Sequence, residues 1–185
     1  MKVRESDQIE SLAFNDDLSC LICASSTGYG IFTVAPMARF CFRSFEGGGF
    51  SLAQMFGRAS VVALVGGSPS PAGFSQSSVV LWDDIACVRL WEIRLPSPVA
   101  AIFATVGTLA VVLEERIAVY SVSPDFSSVH LERSVETFPN PDGVCAISRI
   151  PSSAVMAFLG PREGGVRVLS RRLAPEKNSG QKSSG

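Results

Sequence analysis

Three observations predict an all-β fold. In residues 109–122, LAVVLEERIAVYSV, an uncharged β-branched run ends in Glu114-Glu115-Arg116 and a second apolar run follows at once. A helix would repeat its apolar positions three and four apart with charge on the opposite face; here the charge is gathered at one point, as at the turn of a β-hairpin. The same kind of hairpin then recurs, four times in all, with first strands about 40, 47 and 45 residues apart. The composition agrees: 185 residues, 46% hydrophobic and 18% charged with 16 Gly and 11 Pro, fit short elements joined by turns around a sizeable core. A repeat of ~40–45 residues holding four short strands describes a propeller blade. The expectation is therefore a partial WD40-type β-propeller of about four blades. An ordinary β-sandwich of many short strands is the rival reading.

Each unit can be laid out in order. After a polar, flexible N-terminus (residues 1–8), first strands are expected at 12–14, 52–56, 99–103 and 144–148. Apolar second strands follow at 20–24, 61–65, 109–113 and 155–159, and third strands mixing β-branched and aromatic residues at 30–34, 79–82, 117–120 and 166–169. Polar fourth strands close the first three units, at 40–45, 89–95 and 129–137, whereas the fourth unit runs into the polar segment APEKNSGQKSSG. The blades then span approximately 9–46, 50–95, 98–137 and 143–173, with 174–185 a disordered polar tail. Asn140-Pro141-Asp142-Gly143 is a turn between blades, with Pro presetting φ and Gly ending it. Residues 66–78, GGSPSPAGFSQSS, read as a surface loop inside the second blade, and Trp82-Asp83 is a WD dipeptide ending a third strand. Because one small sheet cannot bury both its faces, such units are stable only when stacked.

Other functions find little support. The net charge of −1 does not favour nucleic acid. Its distribution is uneven: residues 162–182 carry six Lys/Arg against two Glu, the remainder ten basic against fifteen acidic residues. A basic end of this kind suits a solvated tail or an anionic membrane surface. The start, MKVRESDQIE, lacks the apolar core of a signal peptide, so a cytoplasmic, reduced protein is expected. Cys20-x-x-Cys23 has no second pair, and His130 is the sole histidine, so no metal or other cofactor is expected; the five cysteines read as buried free thiols on strands. Residues 95–113 hold no charge over nineteen positions, enough for a membrane helix, but Pro96, Pro98 and Gly107 favour two buried strands turning at Thr105-Val106-Gly107-Thr108. Catalysis is not expected: His130 has no nucleophile elbow, Gly47-Gly48-Gly49 lacks the Lys of a phosphate loop, and Glu114-Glu115 are adjacent turn acids.

Several stretches carry a more specific likeness: Glu10-Ser11-Leu12-Ala13-Phe14-Asn15 with Asp17 and Cys20, Ser26-Thr27-Gly28-Tyr29-Gly30-Ile31-Phe32, Ala63-Leu64-Val65-Gly66-Gly67, Val80-Leu81-Trp82-Asp83-Asp84, Val111-Val112-Leu113-Glu114 with Ile117 and Tyr120, and Asn140-Pro141-Asp142-Gly143-Val144-Cys145. From about residue 9 to 170 the chain resembles, in order, the N-terminal portion of the PROPPINs, β-propellers that bind polyphosphoinositides. The resemblance implies a seven-bladed propeller acting in autophagy, a phosphatidylinositol 3-phosphate effector that recruits a lipid-transfer protein to forming autophagosomes. It implies no catalysis, and a cytoplasmic protein that is peripheral on autophagosome precursor membranes. The family's lipid pockets lie in the fifth and sixth blades around a Phe/Leu-Arg-Arg-Gly motif. That motif is absent here; Arg171-Arg172 lacks the Gly and lies one blade early. No lipid-binding residue is therefore carried across, and only weak phosphoinositide binding is expected. What the resemblance carries across is a partner-binding turn in the first blade, at Asn15 and Asp17, beside the alternative that both side chains serve their own backbone. The loop at 66–78 is a second candidate surface. A WD40-type scaffold unrelated to autophagy remains the alternative function, and self-association through open propeller edges is expected of an incomplete stack.

Overall fold

The computed structural model describes residues 7–148 and 153–172 of the chain; the expected tail at 174–185 and most of the expected flexible N-terminus lie outside them. The described residues form fifteen strands in four antiparallel sheets, with no helix and hence none long enough to cross a membrane. Blade 1 is β1 (Ile9–Phe14), β2 (Cys20–Ser25), β3 (Gly28–Val34) and β4 (Met37–Ser44). Blade 2 is β5 (Phe50–Met55), β6 (Val61–Gly66), β7 (Ser78–Asp83) and β8 (Val88–Arg94). Blade 3 is β9 (Val99–Thr105), β10 (Thr108–Leu113), β11 (Arg116–Val122) and β12 (Val129–Glu136). Blade 4 has β13 (Cys145–Ile147), β14 (Ser153–Leu159) and β15 (Val166–Arg172). Every sheet is a meander in sequence order, so neighbouring strands are joined by the shortest connections available.

The hairpin of residues 109–122 forms as expected. Leu113 pairs with Arg116, so Glu114 and Glu115 alone make the turn, exposed to water. The uncharged run 95–113 divides into β9 and β10, and Gly107 at φ 82° turns the chain between them in a conformation other residues resist. In blades 1–3 the fourth strand carries one extra residue opposite the third, at Phe40, Leu90 and Glu132 respectively. Such bulges sharpen twist, and their recurrence at equivalent places shows that the units repeat in backbone detail as well as length.

Stacking buries the sheets on one another. Second strands supply the centre: all six residues of β6 and of β10 are buried. Along them, alternate residues face opposite neighbours. Val62 and Leu64 cluster with Ile22, Ala24 and Ile31 of blade 1, whereas Ala63 and Val65 cluster with Leu109 and Val111 of blade 3. Ala110 and Val112 turn the other way, onto Met156 and Phe158 of blade 4.

Three details depart from expectation. The segment 66–78 is only partly a surface loop: Gly66, Gly67, Pro71 and Ser78 are buried, and Phe74 inserts among Phe45, Phe50 and Trp82. Removing the Phe74 ring from water outweighs the polar character of its Ser- and Gly-rich surroundings. Cys87 is neither buried nor on a strand; it lies exposed in the β7–β8 turn at φ 54°. Cys20 and Cys23, three apart on β2, face opposite sides of the sheet and are half-buried. Arg171 and Arg172 do not follow the last strand but end it, since β15 runs three residues further than expected.

Candidate partner-binding face

The β1–β2 turn is built by the side chains of Asn15 and Asp17. Leu18 N donates to Asn15 O at 3.2 Å, and Leu18 takes a left-handed φ of 61° to bring the chain back into β2. Asn15 Oδ1 accepts from Cys20 N at 2.9 Å, and its Nδ2 donates to Gly57 O of blade 2 at 3.2 Å and to Ser19 Oγ. Only 1% of Asn15 is exposed, so the residue acts inside the protein, holding its own turn and the neighbouring blade. Asp17 points outward. One carboxylate oxygen accepts from the backbone N and the Oγ of Ser19, and the other meets Arg58 Nε at 2.7 Å. Hydrogen bonds from Ser19, then the Arg58 guanidinium, hold this carboxyl well below the usual carboxylate range.

Asp16 reaches further, accepting from Val106 N in the β9–β10 turn of blade 3 at 3.1 Å. Gly57 between them has φ 56°, and a Cβ there would approach Val106 Cγ2 to 2.9 Å. The first turns of three blades thus form one tied rim, bearing the Asp17–Arg58 pair with Leu18 (51% exposed) and Val106 (55% exposed). The third turns join the same rim through Val34 N to Ser19 O and Asp84 N to Ser60 O. They add Met37 and Ile85, 66% and 82% exposed. Charge beside isolated apolar side chains suits protein recognition, where apolar contact supplies affinity and charge supplies register.

Behind this rim, blades 1 and 2 are joined by a polar cluster. Asp84, 5% exposed, accepts from Tyr29 OH at 2.7 Å and from Arg43 Nε and Nη2 at 2.7 and 2.9 Å. Arg43 holds the Asp84 carboxyl below its ordinary value, and burial followed by the Asp84 bond pushes the Tyr29 phenol far up. Asp84 directly follows the WD dipeptide, yet sequence reasoning gave it no role, because its partners lie on another blade. Trp82 itself buries its Nε1–H without a partner, whereas Asp83 caps its turn through Ile85 N and Ala86 N.

The other candidates resolve into structure. Gly47, Gly48 and Gly49 thread the link from blade 1 to blade 2 between Ser25-Ser26 and Pro69; a Cβ on Gly48 or Gly49 would strike backbone carbonyls. His130 lies exposed on the outer strand β12. In the loop at 66–78, Arg89 clamps Gly73 O and stacks over Phe74, 5.0 Å from its ring centre. Asn140 repeats the Asn15 device in blade 4: its side chain bonds Val144 N and O, Gly143 N donates to Asn140 O, and Gly143 at φ 64° sits against Ala100 and Ala101 where no Cβ fits.

Known proteins share this fold. No family model matches the chain. It is 29% identical over 166 residues to Autophagy-related protein 18e of Arabidopsis thaliana, covering 89% of this chain and 43% of that protein. It is 28% identical over 161 residues to SVP1-like protein 2 of Schizosaccharomyces pombe, covering 87% and 43%. Among solved structures, Hsv2 of Kluyvelomyces marxianus superposes with a TM-score of 0.71 at 20% identity, over 91% of this chain and 49% of that one. Over most of its length the chain is similar to these autophagy-related proteins and to the Hsv2 propeller, consistent with the N-terminal portion of a PROPPIN. It spans less than half the length of these curated relatives. A further propeller of the same fold, in a structure described as KlAtg21 with the coiled-coil of AgAtg16, matches with a TM-score of 0.62 at 17% identity, over 80% of this chain and 46% of that one. The partial propeller inferred from the repeat is therefore the fold shared by the PROPPIN homologues.

Proposed function

We propose that this chain is a non-catalytic scaffold of autophagosome formation that recruits a lipid-transfer partner through the rim around Asp17. The observation that carries the reading is the tied turn: Asn15 is consumed in fixing it, which leaves Asp17, Arg58 and Leu18 presented at a defined geometry. A rigid turn loses little entropy when a partner binds. In this reading Asp17 and Arg58 contact the partner and Asn15 is a positioning residue. The names of the relatives support the autophagy setting, and the relative solved with a coiled-coil supports a protein partner. The chain acts in the cytoplasm and reaches autophagosome precursor membranes peripherally, and no residue of these four blades is assigned to headgroup recognition.

Two assays test this together. Pull-down with the purified lipid-transfer protein is expected to retain the folded chain; no association would favour a propeller scaffold outside autophagy. Flotation with liposomes containing phosphatidylinositol 3-phosphate is expected to show weak binding, insensitive to the headgroup. Tight, headgroup-specific flotation would place a lipid pocket within these four blades and overturn that part of the reading.

A further inference from the structure

The three junctions between blades are closed differently toward their outer strands. Blades 1 and 2 are clasped there by the Arg43–Asp84 pair and by the rings of Phe45, Phe74 and Trp82. Blades 2 and 3 are clasped by Trp91, whose Nε1 donates to Phe126 O at 2.8 Å. Blades 3 and 4 lack such a filler, because the facing strands β12 and β15 contain no Phe, Tyr or Trp. A groove is left between them, with β12 as one wall and β14–β15 as the other. At the end nearer the β14–β15 turn it opens into a cleft of about 380 Å³, where Arg116, Ser134 and Glu136 of blade 3 face Arg167 of blade 4. Further along lies a mostly apolar hollow of about 170 Å³, lined by Val119, Met156 and Leu169 beside Arg133. The two form one track: β12 passes from 132–133 at the hollow to 134–136 at the cleft, and β15 runs the opposite way, from 167 to 169–170.

The cleft carries positive charge that the protein leaves uncommitted. Among the described residues no carboxylate lies within ion-pair reach of Arg167, and Arg116 meets Glu136 only at 3.9 Å, with the Glu136 side chain turned largely into water. We propose that the cleft takes a phosphorylated serine or threonine of a partner protein, whose chain lies along the groove and puts a neighbouring apolar side chain into the hollow. Two guanidinium forks match the oxygens of a phosphate monoester and its charge of about −2, and the Ser134 hydroxyl supplies a further donor. A carboxylate, with one charge, would satisfy one fork and leave the other unpaired. A bilayer fits less well, since a lipid headgroup brings phosphate to the cleft but keeps its chains in the membrane and leaves the hollow empty. The groove lies at the opposite strand ends from the rim around Asp17, so this inference is independent of that reading.

The test is isothermal titration of the full chain with a short peptide carrying one phosphoserine flanked by leucines. The peptide is expected to bind, and its unphosphorylated twin about tenfold or more weakly, as the loss of charge-assisted hydrogen bonds predicts. Arg116→Gln and Arg167→Gln should each weaken the phosphopeptide by about tenfold, whereas Arg94→Gln, at an exposed arginine of blade 2, should leave it unchanged. Inorganic phosphate should compete for the cleft only at far higher concentration, because it leaves the hollow empty. Where either cleft substitution disturbs the fold by circular dichroism, amide shifts of the native chain decide: the phosphopeptide should move residues 116, 134–136 and 167–169 and leave those of the Asp17 rim in place. No binding of the phosphopeptide, equal binding of its twin, an affinity that survives either cleft substitution, or phosphate alone binding as tightly would each overturn the proposal. So would flotation on phosphatidylserine vesicles that Arg167→Gln abolishes while the peptide stays unbound, which would give these arginines to a membrane.

Discussion

The junction of blades 1 and 2 and the junction of blades 2 and 3 are made of different material. The second is apolar and mainly aliphatic: Val61, Ala63, Val65, Val79 and Leu81 pack on Ile102, Leu109, Val111 and Leu113, with the Phe56–Phe126 ring pair beside them. The first combines Ile22, Ile31, Val62 and Leu64 with a cluster of aromatic rings and the buried Tyr29–Arg43–Asp84 network. Apolar packing is strong but tolerates sliding, whereas a charge network with fixed donors accepts one alignment. The tied rim branches from the polar junction, through Asn15 to Gly57 and Asp17 to Arg58. The contrast teaches that the aliphatic junction supplies stability, while the polar one fixes how the candidate partner face is held.

Substitutions that break one junction at a time sharpen this contrast. The largest loss is expected from Leu109→Ala at the aliphatic junction. It removes a fully buried side chain and leaves a cavity, so about 3 kcal/mol should be lost in urea denaturation. Asp84→Ala should follow at about 2 kcal/mol, because it strands the buried Tyr29 hydroxyl and a guanidinium that is only partly solvated. Adding Arg43→Met to it should recover part of that loss, since the stranded charge is then gone. Asn15→Ala, which orphans Cys20 N and Gly57 O, is expected to lose about 1 kcal/mol. Trp82→Phe should be neutral or slightly stabilising, because the indole N–H it removes is buried without an acceptor.

The polar junction also predicts a pH response. The folded Asp84 carboxyl titrates below its unfolded value, because Arg43 favours the charged form. Its contribution is therefore complete above the unfolded pKa of about 4 and is lost as pH falls through the folded value. Denaturation at pH 7 and pH 3 should show a smaller acid loss for Asp84→Asn than for the parent chain. An equal loss in both would remove Asp84 from the acid response.

How much could be read beforehand follows from how far each interaction reaches. Blades, strand types and the 109–122 hairpin are local patterns repeated along the chain, so periodicity exposed them. The split of the uncharged run was legible from Gly107, because one residue reports its own backbone preference. The turn role of Asn15 and Asp17 followed from short side chains that bond nearby backbone. By contrast, Arg43 and Asp84 are 41 residues apart and meet only once two blades are stacked. Phe74 was hidden in the same way: an aromatic in a Ser- and Gly-rich loop reveals its burial only when the rings around it are placed. Cys87 shows the converse limit, a thiol left in water because its turn demanded a left-handed residue at that position.

The central functional claim is that Asp17 presents the partner contact while Asn15 only positions it. Isothermal titration of the purified lipid-transfer partner into Asp17→Lys tests this most directly, because Asp17 is exposed and the fold should survive the change. The expected result is a loss of at least tenfold in affinity with the fold retained by circular dichroism and a melting temperature lowered only by the loss of the Ser19 and Arg58 contacts. Parent-like affinity in that variant would contradict the account.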